Sequence, residues 1–236
     1  MSIIEVKNIN KNFMVGKEEV QVLKNINFTV DKGDFVSIMG PSGSGKSTLL
    51  YLLGGLDKPS SGVVNINGKD LSKVKEKEMS KMRRNNIGFV FQFYNLVPNL
   101  TVEDNILLPV ILEGKKIKDY EEKLIEILDI IGMKNKRKVT PRELSGGQQQ
   151  RVAIARALIF EPDIIFLDEP IGNLDSKTGK EIMELFKDIN KRLGKTLIQV
   201  THSHESATYG TKIINLIDGE IVGIEKVSSE KDVVCR

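Results

Sequence analysis

Gly40-Pro41-Ser42-Gly43-Ser44-Gly45-Lys46-Ser47 is the stretch on which the reading of this chain turns. Phe35-Val36-Ser37-Ile38-Met39 precedes it with the β-branched, apolar content of a buried strand, and the residues from 47 to 53 that follow look helical. Glycines at these spacings let backbone N–H groups turn inward and cradle phosphate oxygens, and the helix behind them adds its N-terminal dipole. Lys46 is long enough to reach β- and γ-phosphates, Ser47 offers a hydroxyl to Mg²⁺, and Thr48 follows inside the same turn. At average residue frequencies a chance match to the defined positions arises in roughly one chain of this length in a hundred. The strand before and the helix after lower that further, so a plain flexible glycine turn is the weaker reading. A P-loop of this kind predicts an α/β fold.

Outward from the loop, residues 3–9 and 20–30 read as strands, closed by the turn Asp31-Lys32-Gly33-Asp34. Residues 63–66 and 87–91 are short strands. Between them, 69–84 is a charged stretch, richer in basic than acidic residues, in which Leu71, Val74 and Met82 form a thin apolar stripe on a solvated face. From 93 to 160 the chain is mostly helical: Tyr120, Leu124, Ile127, Leu128 and Ile131 share one helix face, with Gly132 placed to end it. Strand–helix alternation then resumes, with strands at 163–167 and 196–200 around a helix ending near Gly194, and Asp218-Gly219 signals a final hairpin. The expected organisation is one domain over 1–236: an α/β core from 1–92 and 161–236, interrupted by a helical insert at 93–160.

Composition closes off other classes. Of 236 residues, 35 are basic and 32 acidic, and a net charge of +3 is too small for a dedicated nucleic-acid binder. The single cysteine, Cys235, excludes an internal disulfide framework and fits a reducing compartment. Glu5 and Lys7 stand where a signal peptide needs an apolar core, so no leader is expected. No apolar run approaches the ~18–20 residues that span a bilayer; Ile106 to Leu112 is short and holds Pro109.

Two further elements carry chemistry. Asp163-Ile-Ile-Phe-Leu-Asp168-Glu169-Pro170 drives four apolar residues into a sheet and presents two acids at the strand's carboxyl end, where open α/β sheets bind ligands. Asp168 suits Mg²⁺ held through water, and Glu169 suits a general base toward the attacking water. Leu144-Ser145-Gly146-Gly147-Gln148 opens a helix, with Ser145 as N-cap and two glycines exposing amides to an anion. Chance occurrence of that five-residue string is on the order of a few in ten thousand chains.

With these elements in this order, the sequence resembles the ATP-binding subunits of ABC transporters over nearly the whole chain. The resemblance implies a P-loop, RecA-like core with an N-terminal antiparallel β subdomain and the helical insert. It assigns Gln92 to the glutamine that senses Mg²⁺ and the attacking water, and Asn173-Leu174-Asp175 to the loop that crosses the dimer interface. His202 matches the switch histidine at the γ-phosphate, and Phe13 the aromatic that stacks on adenine. Ser145, Gly146, Gly147 and Gln148 would complete the partner subunit's ATP site in trans. ATP and Mg²⁺ are the implied cofactors, and an ATP-dependent homodimer and an integral membrane permease the implied partners. The place implied is the cytoplasmic face of the membrane.

Two residues depart from the family pattern: Ile171 stands where threonine is usual, and Ser203 where aspartate is usual. The segment Gly88–Gln92 with Tyr94-Asn95-Leu96, Leu100-Thr101-Val102 and Gln148-Gln-Gln-Arg151 resembles the lipoprotein-release, macrolide-export and antimicrobial-peptide-export group. The surface near residues 92–101 resembles the one that receives a coupling helix of the membrane partner. The rivals are a cell-division-type ATPase regulating a membrane complex, an ABC ATPase of DNA repair or translation, and a P-loop kinase or GTPase.

Overall fold

Apolar alternation at the N-terminus builds a long hairpin in which β1 (Ser2–Val15) and β2 (Glu18–Asp31) pair antiparallel. The computed structural model describes residues 1–227, so Cys235 lies outside the described residues. Both strands outrun the expected 3–9 and 20–30. The polar run Asn10-Lys11-Asn12 is held in the sheet by side chains instead of apolar alternation. Asn10 Nδ2 donates to Ser61 Oγ (3.0 Å), and Asn10 Oδ1 accepts from the Asn25 amide (3.0 Å). β3 (Phe35–Met39) runs through the glycine-rich loop into α1 (Lys46–Leu53), whose Leu49, Leu50, Leu52 and Leu53 are fully buried. β4 (Ser61–Ile66) and β5 (Lys69–Asp70) join the hairpin in a four-stranded antiparallel sheet of order β2-β1-β4-β5.

The chain divides into two compact units, one of Met1–Val74 with the segment from Thr196 onward, the other of Lys75–Lys195. The charged stretch at 69–84 straddles the division and is not one helix. Asp70 opens a short 3₁₀ turn (Leu71–Lys73) by accepting from the Ser72 amide (2.9 Å), and extended backbone at Val74 and Lys75 separates that turn from α2 (Glu76–Asn85). Leu71 is buried as expected, but α2 buries Met79 and leaves Met82 half-exposed.

The second unit continues with β6 (Ile87–Phe91), α3 (Val102–Leu112), α4 (Glu121–Ile130), α5 (Gly146–Leu158), β7 (Ile164–Asp168) and α6 (Ser176–Leu193). β6 and β7 are parallel, in register from Ile87↔Ile164 to Phe91↔Asp168. The Phe89 ring stacks on Phe166 and Phe91 at 5.3 and 5.6 Å, the aromatic overlap that two neighbouring strands share on one face. On α4, Leu124, Ile127 and Leu128 face inward, with Ile131 just beyond, while Tyr120 precedes the helix and meets Phe160 edge-on at 5.5 Å.

In the first unit, β8 (Thr196–Thr201) lies parallel to β3, α7 (His204–Ala207) follows, and β9 (Lys212–Ile217) lies parallel to the other edge of β3. β10 (Glu220–Lys226) closes the hairpin over Asp218 and Gly219, with φ values of 49° and 80°. Both central residues therefore take the left-handed conformation that a type I′ turn requires. The order in this unit is β10-β9-β3-β8.

Candidate functional site

The phosphate loop leaves β3 where the sheet packs tightest around it. A Cβ on Gly40 would stand 1.9 Å from the Leu216 carbonyl oxygen, so the position admits only glycine. Lys46 is buried, and its Nζ donates to the Gly40 and Pro41 carbonyls at 2.9 and 2.8 Å, fastening the loop's exit to its entry. Ser44 Oγ is buried without a hydrogen-bond partner. An orphaned hydroxyl, a cation and the amides at the start of α1 form a donor set that fits phosphate oxygens. Gly45 caps α1 at φ 94°, with no side chain between the helix end and a ligand.

His202 follows the end of β8. The pairing Met39↔Thr201 sets it beside the loop entry, and Gly40, Pro41 and His202 line one cavity of about 430 Å³ with Asn215, Val222 and Glu225. Ser203 explains its departure from the family pattern by capping α7: its hydroxyl accepts from the Ser206 amide (3.2 Å), as an aspartate there would. Behind the histidine lies a buried network absent from the sequence reading. Gln199 Nε2 donates to Ser37 Oγ (2.8 Å) and to the Ser206 carbonyl (2.9 Å), and Ser206 Oγ donates to Gln199 Oε1 (3.2 Å). Phe13 sits near the tip of the β1–β2 hairpin, 40% exposed, with Lys11 Nζ 4.6 Å from its ring centroid. Lys11 is pinned by Asp57 and the Lys58 carbonyl, both at 2.8 Å.

In the second unit, the register Phe91↔Asp168 places Gln92 and Glu169 at neighbouring strand ends. Glu169 has φ 46°, a left-handed conformation in which a side chain with a Cβ is strained. Its carbonyl accepts from the Gly172 amide (3.0 Å), which closes the turn leading to Asn173, Leu174 and Asp175. Asp175 caps α6, accepting from the Lys177 and Thr178 amides and from Thr178 Oγ1 (3.1, 3.0 and 2.6 Å). Those bonds to the charged form hold its carboxyl below the ordinary carboxylate range, the Thr178 hydroxyl contributing most. Ile171, the other departure, packs against α6 at Gly179.

Ser145 caps α5 as its sequence implies, in a reciprocal box with Gln148: the Gln148 amide donates to Ser145 Oγ (3.4 Å) and the Ser145 amide to Gln148 Oε1 (3.1 Å). A Cβ on Gly146 would stand 2.7 Å from Tyr94 Oη, and one on Gly147 2.2 Å from Thr178 Cγ2. One turn on, Gln150 is fully buried; its Nε2 donates to the Pro170 carbonyl (2.6 Å), and its Oε1 has no partner. Arg156, from the same helix, donates to the Tyr94 and Asn95 carbonyls (2.9 and 2.5 Å), and burial lowers its pKa. Asn105 on α3, fully buried, bonds the Val97 amide and carbonyl and the Leu100 and Thr101 carbonyls, fixing the segment after Gln92.

The family model described as ABC transporter matches residues 23–172. The chain belongs to the ABC transporter family. Its ABC relatives include an uncharacterized ABC transporter ATP-binding protein of Thermotoga maritima, 46% identical over 224 residues that make up 95% of each chain. The lipoprotein-releasing system ATP-binding protein of Bacteroides fragilis is 44% identical, covering 93% of this chain and 100% of that one. An ATP-binding cassette from Methanocaldococcus jannaschii, solved as a dimer in a post-hydrolysis state bound to ADP and Pi, superposes with a TM-score of 0.86 at 45% identity. That match covers 96% of this chain and 99% of that one. This ABC chain thus has the α/β P-loop fold with the antiparallel β subdomain that its sequence implies.

Proposed function

We propose that this chain is the ATP-hydrolysing subunit of an ABC transporter of the lipoprotein-release type, acting as an ATP-bridged homodimer on the cytoplasmic face of a membrane. The observation that carries the reading is that the chain holds both a built phosphate cradle at residues 40–48 and a second capped helix end, whose Gly146 and Gly147 lie close against the Tyr94 and Thr178 side chains. The relatedness to the Bacteroides fragilis subunit supports lipoprotein release. Among the described residues no helix is long and apolar enough to cross a membrane; in this reading the passage belongs to an integral membrane permease that the subunit drives.

Lys46 and the amides of residues 42–48 bind the phosphates, and Phe13 stacks on the base. Ser47, Gln92 and Asp168 suit Mg²⁺, a hard cation that keeps several waters and takes few protein ligands. The chemistry such a cation would supply there is neutralisation of the negative charge that develops on the phosphates. Glu169 accepts the proton of the attacking water, and His202 donates to the γ-phosphate as its charge spreads. Ser145, Gly146, Gly147 and Gln148 close over the partner subunit's nucleotide, with Asn173-Leu174-Asp175 at the dimer contact. The helical insert is taken as residues 93–160. Within it, the exposed Phe93 and Val97, braced by Arg156 and Asn105, offer apolar surface to the membrane partner.

Glu169→Gln keeps shape but removes the base and one negative charge facing the phosphates. The variant is expected to bind ATP, to hydrolyse almost none, and to pass from monomer to dimer on adding ATP but not ADP in size-exclusion chromatography with light scattering. A variant that stays monomeric under saturating ATP overturns the ATP-bridged dimer.

A further inference from the structure

Gln92 and Asn173 exchange two hydrogen bonds across 81 positions of sequence: Gln92 Nε2 donates to Asn173 Oδ1 (3.2 Å), and Asn173 Nδ2 donates to the Gln92 carbonyl (3.1 Å). The chemistry of the groups dictates both amide orientations. A main-chain carbonyl only accepts, so it must meet the NH₂ end of Asn173. That turns Asn173 Oδ1 toward the Gln92 side chain. This oxygen also only accepts, so Gln92 must present Nε2 to it. Gln92 Oε1 is thereby turned away from Asn173, as an acceptor offered to a cation or a water. Gly172 guards the arrangement from a third side, since a Cβ there would stand 2.9 Å from Gln92 Nε2 and 3.3 Å from its Cδ.

We propose that Asn173 is a positioning residue for Gln92: it selects which end of the Gln92 amide faces the metal and the attacking water. The inference rests on reading Gln92 as the contact to Mg²⁺ and water. A half-exposed glutamine amide left to itself turns over on a picosecond-to-nanosecond scale, and its NH₂ end repels a cation. The loop that crosses to the partner subunit therefore also sets the polarity of the amide on the other strand end. Closure of the dimer and readiness for the metal then share one side chain.

Two measurements test it. In ¹⁵N-labelled subunit free of nucleotide and metal, the Gln92 side-chain amide signal, assigned by its loss in Gln92→Ala, should shift in Asn173→Ala and in Gly172→Ala. In steady-state hydrolysis, Asn173→Ala should raise the Mg²⁺ concentration for half-maximal turnover by roughly two- to tenfold, the worth of one amide hydrogen bond, with KM for ATP little changed. In a Gln92→Ala background the same substitution should add nothing. If Gln92→Ala itself leaves the Mg²⁺ dependence unchanged, the reading of Gln92 falls and takes the proposal with it. If Gln92→Ala shifts it but Asn173→Ala adds its full effect on top, or leaves the amide signal unmoved, the proposal alone is overturned.

Discussion

Gly147→Ala places a methyl group 2.2 Å from Thr178 Cγ2, where carbons in contact need about 3.5–4.0 Å. Thr178 cannot swing aside at low cost. Its χ1 is stiffened by β-branching, and its Oγ1 and amide are both tied to Asp175, at 2.6 and 3.0 Å. Overpacking of this kind costs about 1–3 kcal/mol, against a gain of about 0.5–1 kcal/mol for replacing a helical glycine by alanine. The net loss is up to about 2.5 kcal/mol, so at about 2–4 °C per kcal/mol for a chain of this size the melting temperature should fall by up to roughly 10 °C. Thr178→Ser removes the offending methyl and keeps the hydroxyl, at no more than about 0.8 kcal/mol. In the double variant the nearest Thr178 atom left is its Cβ, at 3.7 Å, an ordinary contact. The double variant should therefore melt well above Gly147→Ala, with a coupling of about 1 kcal/mol or more in a thermal-denaturation cycle. An effect of Gly147→Ala that is the same in the Thr178 and Thr178→Ser backgrounds would refute the rigid seating of α5 on α6. Melting is the right readout, because hydrolysis should suffer in either variant if Gly147 faces the partner's nucleotide.

His202→Ala should cut steady-state hydrolysis by roughly 10²–10³-fold with ATP binding nearly intact, the pattern of a lost transition-state contact; His204→Ala should do little, and the reverse ranking would exchange the two histidines. Glu103, 12% exposed, pairs with both Arg137 and Lys138. Burial pushes its carboxyl up, but the hydrogen bonds and charges of Lys138 and Arg137 outweigh that and hold it below the usual range. A pKa lower in the folded state means stability that is present above the unfolded value of about 4.3 and lost as pH falls through the folded one. The melting temperature should drop on acidification across that window, and Glu103→Gln should flatten part of the drop.

The phosphate loop and the opening of α5 were legible because their chemistry is written in adjacent residues. Ser145 caps α5 as a local reading expects. The Asp218-Gly219 turn was legible for the same reason. What stayed hidden joins residues distant in sequence. Nothing near Gln92 signals Asn173, nothing near Gln199 signals Ser37, and Met79 is buried instead of Met82 in a stretch that breaks at Val74 and Lys75 into two elements. Glu169 concealed its strain differently: glutamate carries no turn signature, whereas Asn8, Asn25, Asn67, Asn95 and Asp218, also at positive φ, are residues that tolerate it. Ser203 shows that a departure from a family pattern is judged by the bond it makes.

Gln150 gives α5 a mechanical role. The helix is a rod rising 1.5 Å per residue, so the first turn that carries Gly147 and the amide that grips Pro170 lie only about 4.5 Å apart along one stiff body. The grip is short, at 2.6 Å, and wholly dry, where a hydrogen bond is strongest and hardest to exchange for water. Pro170 is the next residue after Glu169, so a tilt imposed on the rod from its exposed end is delivered to the backbone one residue beyond the strained glutamate. In the proposed dimer, where that end would touch one nucleotide and the glutamate would serve the other, a tilt of this one helix would act on both sites at once.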